Sequence, residues 1–139
     1  MPQLNAYLVF DGECAAAMRF YESVFGGTLS MTTQADALGD GEASADEDAR
    51  ILHARLVFAE GQRLMGSDCP PGMPYEGIKG FSLSLIYPGI DEAQRVFDAL
   101  AVGGQVTMPM QRTYWAGAFG MLTDRFGTLW MVNGELIDP

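Results

Sequence analysis

One histidine, His53, stands two residues before Arg55 in the stretch Ile51-Leu52-His53-Ala54-Arg55. An imidazole can pass a proton near neutral pH or ligate a metal. A guanidinium is a permanently charged fork that grips a carboxylate or phosphonate through two parallel hydrogen bonds. Residues two apart on an extended strand project from one face, so this spacing presents both groups together, beside Ile51 and Val57. The competing reading of His53 is a structural histidine, satisfied within a sheet or at a subunit contact. A second cluster is Gln111-Arg112-Thr113-Tyr114-Trp115. Its aromatic pair offers large contact area with polar handles, suited to the wall of a ligand pocket. The same pair could instead plug a core, but the polar groups beside it favour the pocket. The candidate ligand-binding set is therefore His53, Arg55, Arg112, Tyr114 and Trp115, with His53 as the candidate catalytic group.

Other side chains have blander readings. Ser82 and Ser84 share a strand face with Ile86 and either bind a ligand or face solvent, solvent being the simpler reading. Met65, Met108, Met110, Met121 and Met131 could line an adaptable pocket, but methionine more often fills gaps in a core. Trp130 lies on an alternating strand and is expected in the core. Cys14 and Cys69 lack metal-type spacing. Cys14 falls at a helix start, which can activate a thiol, yet no base lies near it in sequence. A structural role is expected for Cys14, and free thiols for both.

The elements that must position these groups follow from periodicity. Residues 4–10 alternate as a strand, Leu4, Ala6, Leu8 and Phe10 opposing Asn5, Tyr7 and Val9. Ala17, Met18, Tyr21, Val24 and Phe25 form one apolar stripe of a helix over 13–25, stopped by Gly26-Gly27. Strands follow at 51–58 and 63–65. The segment ADALGDGEASADEDA (35–49) has no periodicity and reads as an exposed, mobile loop. Cys69-Pro70-Pro71-Gly72-Met73-Pro74 cannot hold regular structure and is the natural linker. The plan then recurs. Strand 81–87 leads to a helix whose stripe is Ala93, Val96, Phe97, Leu100 and Ala101, with Asp91 and Gln94 placed for a reciprocal capping box. Gly103-Gly104 stops it, and strands follow at 118–123 and 128–133. Ala17-Met18-Arg19-Phe20-Tyr21 overlays Ala93-Gln94-Arg95-Val96-Phe97, and a glycine turn, Gly61 or Gly127, precedes the final strand of each half. A twofold repeat in 139 residues is a specific signal. It predicts an α+β protein with module one at about 1–68, a linker at about 69–76 and module two at about 77–139. Either half alone buries too little surface to stand by itself.

Eighteen acidic against eight basic residues give a net charge of −10. Such a surface repels phosphate backbones and anionic lipid, which argues against nucleic-acid and membrane partners. No apolar run reaches the length of a membrane span. The start, Met1-Pro2-Gln3-Leu4, lacks the basic and apolar regions of an export signal, so a cytoplasmic location is expected.

Several ordered stretches carry a family resemblance. They are Tyr7-Leu8-Val9-Phe10-Asp11-Gly12-Glu13-Cys14, Phe20-Tyr21-Glu22-Ser23-Val24-Phe25-Gly26-Gly27, His53-Ala54, Leu64-Met65-Gly66-Ser67-Asp68, Tyr114-Trp115, and the run from Leu122 through Asp124-Arg125-Phe126-Gly127 to Asn133. With these the chain resembles the PhnB-like branch of the vicinal oxygen chelate (glyoxalase/bleomycin-resistance) superfamily. The resemblance implies paired βαβββ modules forming cupped mixed sheets, a homodimer, and a cup-shaped pocket for a small organic ligand. It also implies a divalent metal acting as Lewis acid on a substrate's adjacent oxygens, with isomerase-, lyase- or dioxygenase-like chemistry. The implied ligand positions fall at Leu4 or Asn5 on the first strand, at His53 or Arg55 on the second, and at Met131 on the last. That set is incomplete, so no metal ligands are assigned. The alternative implied by the resemblance is a non-catalytic protein that sequesters a small molecule, as bleomycin-resistance members do. PhnB-like proteins are often labelled ubiquinone-pathway methyltransferases, but this chain has no strand–glycine-rich-turn–helix unit for an adenosine cofactor.

Overall fold

Alternation, turn chemistry and helical periodicity produce eight strands and two helices in a computed structural model that describes residues 2–33, 50–70 and 72–137. The acidic segment expected as a loop at 35–49 lies outside the described residues. The chain divides into two compact units, Met1–Gly77 and Ile78–Pro139.

In the first unit the order is β1 (Ala6–Phe10), α1 (Cys14–Phe25), β2 (Thr28–Thr33), β3 (Ile51–Phe58) and β4 (Gln62–Asp68). The four strands form one sheet in the order β1-β4-β3-β2. β1 runs parallel to β4, and the other neighbours are antiparallel. Period-two alternation turns Leu8, Phe10, Ala54, Leu56 and Leu64 inward, and all are buried along with Ala17, Met18, Tyr21 and Val24 of α1. The helix has no side-chain cap of its own at Glu13. The need is met from a distance: the buried Asp68 carboxylate accepts hydrogen bonds from the Gly12 and Cys14 amides at 2.8 and 3.0 Å. Its other oxygen takes the Ile51 amide at 2.8 Å. One carboxylate thus satisfies the start of α1 and of β3 together.

The second unit repeats this plan with β5 (Leu83–Tyr87), α2 (Ile90–Ala101), β6 (Gln105–Gln111), β7 (Ala116–Thr123) and β8 (Leu129–Leu136), in the sheet order β5-β8-β7-β6. The ladders correspond position by position. Ala6 pairs with Leu64 as Leu83 pairs with Trp130, and Ala54 pairs with Gly66 as Gly120 pairs with Val132. Each unit is a βαβββ module, as the repeat predicts. Trp130 is buried in the core, its indole N–H donating to Asp124 at 2.9 Å. The same carboxylate holds the β7–β8 turn by accepting from the amides of Phe126 and Thr128.

Three local expectations are corrected. The second helix begins at Ile90 with Gly89 as its cap, and no side chain caps it. Asp91 therefore lies inside the first turn, where with Glu92 it favours the positive end of the helix dipole, and Gln94 donates to Asp98 instead of reaching back. Strands β2 and β6 were not apparent in the sequence. β1 and β5 start later than expected, at Ala6 and Leu83, and β4 extends on to Asp68.

Candidate functional site

In the first unit, alternation leaves the sheet face turned away from α1 to the complementary residues. The ladder sets them in two rows. Tyr7, Met65, Arg55 and Ser30 are consecutive partners across β1, β4, β3 and β2. Beside them Val9 pairs with Ser67, and His53 pairs with Thr32. His53 and Arg55 therefore do share a face, as their spacing predicts, and both are exposed.

The sequence did not single out Tyr7. Its hydroxyl lies 3.4 Å from His53 Nδ1, and the two rings stack with centroids 5.9 Å apart at 30°. The phenol can donate to the neutral ring or accept from it, so the pair can pass or share a proton. No signal along the chain could have shown this, because β4 lies between the two strands and joins residues 46 positions apart.

Arg55 makes no ion pair among the described residues, nor does Arg63 on the neighbouring β4. Arg63 pairs with Val57, so the two guanidiniums are diagonal neighbours on this face. Two arginines without an ion-pair partner among the described residues make this face locally cationic on a protein of net charge −10.

In the second unit Tyr114 and Trp115 lie in the β6–β7 connection, packed edge to face with centroids 4.8 Å apart. Tyr114 is 81% exposed, and Arg112 beside it is also exposed. Trp115 is held more firmly. Its indole N–H donates to Asn133 Oδ1 at 3.1 Å, and its ring meets Phe119 edge-on at 5.0 Å. The buried Asn133 amide in turn donates to the Leu85 carbonyl at 3.2 Å and approaches Ser84 Oγ at 3.5 Å. In sequence Asn133 only ends an apolar strand, and nothing there marks it as the partner of Trp115. Ser84 is exposed on β5, while Ser82 precedes the strand.

The two cysteines differ. Cys14 is buried, and desolvation, aided by the nearby Asp68 charge, pushes its thiol up to about 12. That is the inert setting its structural reading requires. Cys69 is also a free thiol. It lies 3.6 Å from the Asp11 carboxylate and 3.8 Å from the Arg50 guanidinium, which also bonds Asp11 at 2.9 Å and the Cys69 carbonyl at 2.8 Å.

Residues 3–132 match the model of the glyoxalase/bleomycin resistance protein/dioxygenase superfamily. The chain belongs to that superfamily. Protein YjdN of Escherichia coli strain K12 is 32% identical to it, over 94% of this chain and 93% of YjdN. Among solved structures, protein PA1353 from Pseudomonas aeruginosa is 48% identical with a TM-score of 0.85, covering 97% of this chain and 98% of its own. The PhnB protein of Bacillus cereus is 25% identical with a TM-score of 0.77, covering 96% and 99%. These relatives bear out the PhnB-like resemblance.

Glyoxalase-type metal chemistry requires oxygen or nitrogen donors for a hard divalent ion. Leu4 is apolar, 98% exposed and outside β1, and Asn5 also precedes that strand. At the last-strand position Met131 offers a thioether, in register with Ser84 on one side and Met121 on the other. Among the described residues no three of His, Cys, Asp and Glu gather as a ligand set. The described side chains at these positions do not fit a hard divalent cation.

Proposed function

We propose that this glyoxalase-superfamily protein binds a small organic ligand bearing a carboxylate or phosphonate on the helix-free face of its first unit. The observation that carries the reading is the exposed Arg55, which has no ion-pair partner among the described residues, on the same face as the Tyr7–His53 pair. Arg55 is the anion clamp, and Tyr7 and His53 supply hydrogen bonds and a mobile proton. In the second unit Arg112, Tyr114 and Trp115 are proposed as a ligand-contacting set of that unit's own, with Trp115 fixed by Asn133. A binding role without turnover, as in a sequestering protein, is favoured over isomerase-, lyase- or dioxygenase-type chemistry. The reason is the thioether of Met131 at the position where the family's metal chemistry needs a carboxylate. The protein acts as a homodimer in the cytoplasm, where both cysteines stay reduced.

A thermal-shift screen of small carboxylates and phosphonates tests this. Hits should stabilise the parent protein, and Arg55→Ala should weaken them by about 2 kcal/mol, roughly thirtyfold in affinity. Trp115→Ala should also reduce the shift. Mass spectrometry of the recovered ligand should find it unchanged. Equal stabilisation of the parent and both variants by the same compounds would place the ligand elsewhere, and a new product would establish catalysis.

A further inference from the structure

We propose that Met108, Met121 and Met131 form a thioether site for a soft, monovalent d10 cation of the copper(I) and silver(I) class. The three are lateral neighbours on adjacent strands: Met108 of β6 pairs with Met121 of β7, which pairs with Met131 of β8. Direct cross-strand partners in a regular ladder hold their Cβ atoms about 5 Å apart, and register shifts flank Met108 on both sides. Each sulfur lies two bonds beyond Cβ on a freely rotating stem, so the outer two can swing toward the Met121 sulfur.

Filling the core is the usual work of methionine, but these three do not do it. The helix side of β7 and β8 is already occupied by the buried Leu122, Trp130 and Val132, whereas the three methionines are half-buried on the alternating positions. The donor chemistry then decides the ion. Thioethers are soft and neutral, so they select a soft cation and reject magnesium, manganese or calcium. The next ladder position, beside Met131, is the Ser84 hydroxyl, a poor competitor for such an ion. The net charge of −10 favours cation approach. The row thus turns the family's hard-metal position at Met131 to the opposite preference.

The test uses silver(I) alone as probe, in chloride-free buffer, on protein labelled at the methionine methyl carbons. A Cys69→Ser background removes the more accessible thiol, since Cys14 is fully buried. The Met108, Met121 and Met131 methyl signals should shift together and saturate at one ion per chain, while magnesium moves none of them. Met121→Leu conserves volume and should abolish the saturable shift of the other two; Met108→Leu serves the same purpose should the first variant fold poorly. The proposal is overturned if the three signals stay in place under silver, drift without saturating, respond equally to magnesium, or shift unchanged in the leucine variants.

Discussion

The Cys14 thiol lies beside Gly66 of β4 and near the Asp68 carboxylate, and burial pushes its pKa from 9.0 up to about 12. In the unfolded chain the thiol ionises first, so above pH 9.0 the unfolded state binds fewer protons than the native state. Stability must then fall as pH rises from about 9 toward 12. Urea midpoints should show this component in the parent protein and lose it in Cys14→Ala, and native Cys14 should resist alkylation until the protein unfolds. The residue-scale chemistry was only partly legible. His53 and Arg55 could be paired from local spacing because strand period sets their common face. Tyr7 could not, because its partner is brought to it across β4. For Cys14 the sequence offers only the absence of a nearby base, and its depth required the fold.

At the scale of elements the two units place the same constraint at the same point. A methyl group at Gly27 would strike the Val57 carbonyl, and one at Gly104 would strike the Thr123 carbonyl. Backbone oxygens within a ladder cannot step aside, so Gly104→Ala should cost roughly 1–3 kcal/mol in a denaturant melt. Gly27→Ala should cost more, because its φ of +93° adds strain. Asp68→Ala should be worse than a surface change by roughly 3 kcal/mol, since it strands three backbone donors at the starts of α1 and β3. The helices and the other strands, the edge strands β1 and β5 among them, were readable from their apolar periodicity. Thr28–Thr33 and Gln105–Gln111 were not, because each carries only two or three apolar side chains among polar ones and has no buried residue. Both are also broken by register shifts, and Pro109 sits within β6 as only an edge strand permits. The capping box failed for a different reason: Asp91 and Gln94 have the right spacing, but the helix starts before them, and spacing cannot fix a start.

At the scale of the whole molecule, each sheet ends in strands that are hydrogen-bonded on one side only within it. Such edges invite pairing with another chain, and sedimentation at micromolar concentration should give twice the chain mass; a monomer would refute the proposed homodimer. The charge pattern bears on function more directly. A chain of net charge −10 keeps Arg55, Arg63 and the only histidine on one sheet face. Being the only one, His53 gives imidazole proton signals that need no assignment by mutation. Titrating the best anion from the stability screen while following those signals tests whether the ligand sits on this face. The signals should move and saturate with the ligand, and Arg55→Ala should displace the curve to roughly thirtyfold higher concentration. Signals that stay fixed while the ligand saturates the protein would contradict that placement.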